Sequence, residues 1–380
     1  MSEMGEVSEM SGMSEMSGME RGMSSAYLHW AKRHSSSKYN LATSGIMSYP
    51  LAGLPVRIED LEINGPDAYG YSPLQERLAA KCGVGTECVV AANGTSMANH
   101  LAMAALLGPG DEVLIEQPTY GILLDVASYL GAKIVRFERR FDEGYQVDVE
   151  AVRAKLTAKT RLIVLTNLHN PTGAYTDEAT LTAIGAMAAE VGARVLVDEV
   201  YLDMVPWRTE LPARSCIHLG PQFVVTTSLT KAYGLSGVRC GWILAEPELA
   251  ARIWRLSDLF NGSPVHPAER ISVVALDNLE RVAERARGLL TANRAALEAF
   301  YDGRDDLEVF RPVAGTVTFP RLKSGRVEAL LPLLRERFET SVVPGSFFES
   351  PGHFRIGIGG DVAMTAEGLQ RLGLALDALR

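Results

Sequence analysis

Residues 162–201 read LIVLTNLHNPTGAYTDEATLTAIGAMAAEVGARVLVDEVY. An apolar, β-branched run, Leu162–Thr166, stops at an Asn-Pro and Thr-Gly turn. An alanine-rich helical stretch, Glu178–Val191, follows, and a second apolar run, Val195–Val197, ends on Asp198. Strand, turn, helix and strand in that order make a βαβ unit. Because neither run alternates apolar with polar residues, both faces of these strands are expected to be covered. The same signal extends outward on both sides. Strands are predicted at Glu87–Ala92, Glu112–Glu116, Lys133–Arg136, Phe223–Thr227 and Gly241–Ala245, with helices at Ser96–Leu107, Gly121–Leu130 and near Glu248–Leu256. Such alternation predicts an α/β fold, a mostly parallel sheet with helices on both faces.

Further along, the pattern changes. One long helix is predicted from Pro267 to Phe300, and short strands within Leu307–Leu322 and Ser341–Ile358. Helices at Arg326–Phe338 and Thr365–Leu379 complete a smaller α+β domain. The expected organisation is a low-complexity extension at 1–23 and a segment at 24–50 that packs with the small domain. A large domain follows at 51–262, then the connecting helix and small domain at 263–380. The extension repeats Met-Ser-Glu-Met and Ser-Gly-Met units and holds seven of the 13 methionines. Thioethers bind soft metals, but a polar low-complexity tract reads more simply as disordered, or as sequence ahead of a start at Met19 or Met23.

Composition narrows the function. The 380 residues are 47% apolar and 22% charged, which suits a soluble, globular chain. No apolar run approaches the roughly 20 residues that cross a bilayer. A net charge of −9 argues against a nucleic-acid binder. Cys82, Cys88, Cys216 and Cys240 lack C-x-x-C spacing, so neither a zinc site nor a disulfide framework is expected, and a cytoplasmic enzyme fits.

Two short motifs mislead. Asn93-Gly94-Thr95-Ser96-Met97-Ala98 approaches the nucleophile segment of subtilisin-like proteases, but the Asp and His segments of a triad are missing upstream. Ser228-Leu229-Thr230-Lys231 matches the Ser-x-x-Lys of penicillin-recognising enzymes without its companion motifs. Both acquire another meaning as members of one ordered set. Gly94-Thr95-Ser96 is a turn leading into a helix, a cradle for phosphate. His169-Asn170-Pro171-Thr172-Gly173, Asp198-Glu199-Val200-Tyr201, Ser228-Leu229-Thr230-Lys231 and Arg239 follow it. All are expected at the carboxyl ends of strands, where open α/β sheets bind ligands.

With this set the chain resembles the fold-type I pyridoxal-phosphate enzymes, specifically the class I/II aminotransferases of the aspartate aminotransferase superfamily. The resemblance runs from about Tyr69 to Arg355. It implies pyridoxal 5'-phosphate as cofactor, with Lys231 as the Schiff-base lysine and later the base at the substrate's α-carbon. Asp198 would hold the pyridine nitrogen, Asn170 and Tyr201 the phenolic oxygen, and Tyr120 would stack on the ring. Gly94, Thr95, Ser96, Ser228 and Arg239 would hold the phosphate. Tyr69, with Tyr71 as a rival, would reach the phosphate of a neighbouring subunit in a homodimer. Arg355, with Asn170, would clamp the substrate carboxylate, since a planar guanidinium fork fixes orientation as well as charge. The implied reaction moves an amino group from an L-amino acid to a 2-oxoacid. A lyase, a decarboxylase or a cyclising enzyme of the same fold is the alternative, since pocket shape chooses the bond. A DNA-binding regulator with an aminotransferase-like sensor domain would need a helix-turn-helix, which the short acidic extension does not supply. No nucleic-acid or membrane partner is expected.

Overall fold

The computed structural model describes residues 22–34, 37–66 and 68–380, so all but the last two residues of the extension at 1–23 lie outside the described residues. A seven-stranded sheet forms its centre: β1 (Val89–Asn93), β2 (Glu112–Gln117), β3 (Lys133–Glu138), β4 (Thr160–Thr166), β5 (Arg194–Asp198), β6 (Phe223–Ser228) and β7 (Cys240–Leu244). Their spatial order is β1-β7-β6-β5-β4-β2-β3. Every strand predicted from sequence is present, with ends shifted by a residue or two. The apolar runs are buried as expected: Leu162, Ile163, Val164, Val195, Leu196 and Val197 are almost fully shielded from solvent. Each such side chain contributes about 1.5–3 kcal/mol on leaving water. Strand β3 forms one edge and is less buried, and its Lys133 pairs with Glu112 at 3.1 Å, a charged residue suited to an edge.

One expectation is corrected by the topology. Arg239 does not follow a strand; it precedes β7, which runs antiparallel to both β1 and β6. The reversal carries the start of β7 to the edge where the parallel strands end. Ser228 therefore lies opposite Gly241, and Asn93 opposite Cys240.

The long helix of the sequence reading is also two helices, His266–Asp277 and Leu279–Asp302. Asn278 interrupts them with φ −118°, and its side-chain amide donates to the carbonyl of Val274 at 2.8 Å. Asparagine competes with the backbone for such bonds, which is why helices stop there. Leu297 and Tyr301 of the second helix pack with Leu330, Leu334, Phe354 and Leu372 in a core of their own. Among the short strands, Phe354–Gly357 pairs antiparallel with both Val317–Thr318 and Val343–Pro344.

The segment before residue 50 touches both bodies. Helix α1 (Ala26–His34) sends Tyr27 into a cluster with Ile122, Tyr145, Phe319 and Phe348. Tyr39 and Asn40 pair parallel with Thr340 and Ser341, and Leu41 enters the smaller core while Ile46 enters the larger one. No helix among the described residues is long and apolar enough to cross a membrane.

Gly241 lets β7 approach closely the turn that follows β1. A Cβ there would fall 2.4 Å from the carbonyl carbon of Gly94, a backbone atom that cannot rotate away. Gly241→Ala should cost about 1–3 kcal/mol in urea unfolding, whereas Gly237→Ala, with open space around its Cβ, should be nearly neutral. Equal unfolding midpoints for the two variants would contradict this packing.

Candidate active site

The ends of β4, β5 and β6 align Thr166, Asp198 and Thr226 in one row. Above this row opens a cleft of about 740 Å³ whose lining includes Thr95, Ser96, Tyr120, Asn170, Asp198, Tyr201, Lys231 and Arg239. Eight of the residues expected from sequence thus share one cavity.

Asp198 is buried at the floor. Its Oδ2 accepts from Asn99 Nδ2 at 2.8 Å and its Oδ1 from the Val200 amide at 3.1 Å. Burial pushes its pKa up to about 6, against those two donors and the Lys231 ammonium. Lys231 Nζ donates to Ser44 Oγ at 3.1 Å. Burial and the Arg355 guanidinium push this amine's pKa down to about 8, against the pull of Asp198. The buried Tyr201 hydroxyl has no hydrogen bond of good geometry, and burial raises its pKa to about 12. Tyr120 meets Tyr27 edge-on, ring centroids 5.6 Å apart.

At one end of the cleft, α2 (Gly94–Leu106) begins with no side-chain cap, which leaves backbone N–H groups and the positive end of its dipole available. Gly94 takes φ +76°, and its amide donates to the Arg239 carbonyl at 2.8 Å. A Cβ on Gly94 would sit 2.1 Å from Arg239 Nη2, so only glycine admits the guanidinium at this turn. Thr95 Oγ1 donates to Ser228 Oγ at 2.8 Å, so the two hydroxyls sit side by side at this end of the cleft.

Arg355 is fully buried beside the cleft. Its Nη1 donates to Asn170 Oδ1 at 3.0 Å, and its Nη2 to the Tyr27 hydroxyl at 2.9 Å and the Ala42 carbonyl at 3.1 Å. Its Nε finds no partner. Tyr69 is not brought to the cleft of its own chain: it is 54% exposed and donates to Asp258 Oδ2 at 3.0 Å. Tyr71 instead meets His266 edge-on.

The sequence reading missed Ser44, Asn99, Thr166, Thr230 and Tyr27. Asn99 carried only a weak signal, a polar residue beside His100 in a helix that is Ala- and Met-rich further on. Ser44 and Tyr27 carried none, because only the tertiary fold brings them to Lys231 and Arg355.

These features fit the pyridoxal phosphate that the resemblance implies. The glycine cradle beside Arg239 and the uncapped helix suit a phosphate, the orphaned Tyr201 hydroxyl suits an oxygen acceptor, and the buried Asp198 suits a ring N–H.

A family model described as Aminotransferase class I and II matches residues 63–372. The chain belongs to this family. As a class I/II aminotransferase-family member it is similar to capreomycidine synthase of Streptomyces vinaceus, 29% identical over 342 residues and 86% of each chain. Arginine–pyruvate transaminase of Pseudomonas aeruginosa is 27% identical over 306 residues, 77% of each chain. Among solved structures, a PLP-dependent aminotransferase from Streptococcus suis superposes with a TM-score of 0.88 at 27% identity, over 96% of this chain and 99% of that one.

The electrostatics predict a titration. In the cofactor-free protein, modification of Lys231 by an amine-reactive sulfonate, followed by mass spectrometry, should rise with a midpoint near pH 8. Arg355→Met removes a neighbouring cation and should move the midpoint upward. A midpoint that stays put would show that Arg355 does not act on this amine.

Proposed function

We propose that the chain is a pyridoxal 5'-phosphate-dependent aminotransferase that moves an amino group from an L-amino acid to a 2-oxoacid. The observation that carries the reading is Lys231, a half-buried amine in the cleft with its pKa lowered to about 8, acted on by Asp198 at the floor and by Arg355 beside it. When bound, the cofactor supplies an electron sink for the substrate's α-carbon.

The chain's own residues divide the remaining work. The depressed pKa leaves a useful share of Lys231 Nζ neutral near pH 7, able to take a proton from the α-carbon and return it nearby. Asp198, held by Asn99 and the Val200 amide, keeps a proton on the ring nitrogen; a bound cation there would draw its carboxyl back toward the ionised form. Tyr201 and Asn170 donate toward the phenolic oxygen, while Gly94, Thr95, Ser96, Ser228 and Arg239 hold the phosphate. Tyr120 covers the ring. Arg355, with Asn170, orients the substrate carboxylate, and its unpartnered Nε supports a ligand acceptor at that fork. Tyr69 faces outward together with Ile63, Leu259 and Val265, each more than half exposed, which supports a homodimer in which Tyr69 serves the neighbouring subunit. Four free cysteines support a cytoplasmic setting.

A second reading rests on the 29%-identical relative named as a synthase rather than a transaminase. The same proton removal at Lys231 serves elimination, decarboxylation or cyclisation. Stoichiometric oxoacid formation from an amino donor, with the cofactor recovered after a 2-oxoacid is added, separates transamination from these.

Borohydride reduction of the cofactor-loaded protein should place the cofactor's mass on the Lys231 peptide, and Lys231→Ala should abolish turnover with the fold intact. A tag on another lysine would refute the assignment. Asp198→Ala should retain the covalent cofactor and lose most activity; rates within a few-fold of wild type would exclude the electron-sink role. Arg355→Ala should lower kcat/KM for amino acids by about 2–5 kcal/mol, with Arg355→Lys between it and wild type. If Arg355→Ala handicaps an amino acid and its decarboxylated amine equally, Arg355 does not read the carboxylate.

A further inference from the structure

A second cleft, of about 640 Å³, lies between the segment after β5 and the helix Leu279–Asp302. Its lining includes Trp207, Arg208, Arg287, Thr291, Arg294 and Gly315, none of which belongs to the Lys231 cleft.

Three guanidinium groups line it, and only one of them is hydrogen-bonded to a carboxylate. Arg294 is only 3% exposed. Its Nη1 donates to the Pro312 carbonyl at 3.0 Å and its Nη2 to the Gly315 carbonyl at 2.8 Å. Both acceptors are neutral, so the bonds satisfy geometry and leave the charge. Glu298, an acid that acts on Arg294, is hydrogen-bonded to Arg311 instead. Burial and repulsion from Arg208 push the pKa of Arg294 down to about 10. Arg208 is exposed and forms no ion pair among the described residues. Arg287 is hydrogen-bonded to Glu280. Glu280 is thus the one carboxylate bonded to the three cations, while Glu284 and Glu298 act on Arg287 and Arg294 through space, in a chain whose net charge is −9.

Anchoring the loop at 312–315 accounts for Arg294. It does not account for Arg208 and Arg287 in the same cavity, where like charges raise the energy of the empty site. We propose that this cleft binds a small metabolite carrying at least two negative charges, phosphoryl or dicarboxylate, at a site independent of the Lys231 cleft. Concavity favours a small ligand, and the overall negative charge disfavours a long polyanion such as nucleic acid. Arg208 and Arg287 supply guanidinium forks, Arg294 a fixed field, Thr291 a hydroxyl and Trp207 an apolar wall.

Inorganic pyrophosphate titrated calorimetrically into the cofactor-loaded protein tests this without reference to turnover. One saturable site is expected, weakened about tenfold or more by Arg208→Ala and by Arg287→Ala, and abolished by Arg208→Glu. The absorption of the bound cofactor should not change in these variants. Absence of saturable binding, or an affinity unchanged in all three, overturns the proposal. So does binding that survives in them but is lost in Arg239→Ala, because the probe would then occupy the cofactor's phosphate position. Failure here leaves the transaminase reading untouched, since none of these three arginines touches its cleft.

Discussion

The arrangement of the cleft depends on a buried ion pair behind it. Glu116 at the end of β2 and Arg139 just past β3 are both shielded from water, and Arg139 Nη1 meets Glu116 Oε2 at 2.8 Å. Charges so buried gain little net stability from pairing, and losing one partner costs about 3–5 kcal/mol. Their use is orientation. Glu116 Oε1 accepts from both the amide and the hydroxyl of Thr166 at 2.7 Å. The Thr166 hydroxyl then accepts from the Asn170 amide at 2.9 Å, and Asn170 Oδ1 accepts from Arg355. Arg139 also donates to the Tyr145 carbonyl and to Thr176, so the loop between Thr166 and Thr176 is fixed at both ends. One pair of charges therefore sets where the Asn-Pro turn points and, through it, where Arg355 can rest.

In front of that scaffold the local charge opposes the global one. Lys231, Arg239 and Arg355 bring three cations to a site whose floor offers one carboxylate, Asp198. An acidic chain with a cationic hollow concentrates small anions at the hollow while discouraging extended ones. The cofactor phosphate and the substrate carboxylate are the two anions that the residues there suit, at Arg239 and at Arg355. The low pKa of Lys231 follows partly from the same crowding: the Arg355 guanidinium beside the cleft also helps strip a proton from the amine.

Most of the fold was legible because each strand of the sheet is a short apolar run closed by a turn, and burial on both faces allows little else. The residues that share the Lys231 cleft were legible for a related reason, since chemistry at strand ends leaves short motifs in fixed order. What could not be read depended on pairing direction or on distant contacts. The position of Arg239 ahead of a strand made sense only once β7 was found to run backwards. The break at Asn278 is a local competition that helical periodicity on either side conceals. Asn99, Ser44 and Tyr27 stood out in no motif. The roles of Ser44 and Tyr27 rest on a segment that crosses from one core to the other, a relation no local pattern encodes.

That crossing segment acts as a tether between two anchored bodies. Leu41 exchanges backbone bonds with Ser341 and Gly357 of the small domain, and Met47 donates to Gly359 at 2.7 Å. Between them Ile46 donates to the carbonyl of Lys231 at 2.9 Å, Thr316 donates to the carbonyl of Ser44, and Ser44 receives the Lys231 ammonium. The span from Leu41 to Met47 has little slack, because both its ends and its middle are bonded. Any displacement of the small domain against the sheet must be absorbed within these few peptide units, one hydroxyl away from the reactive amine. Domain posture and amine hydrogen bonding are in that sense a single mechanical coordinate.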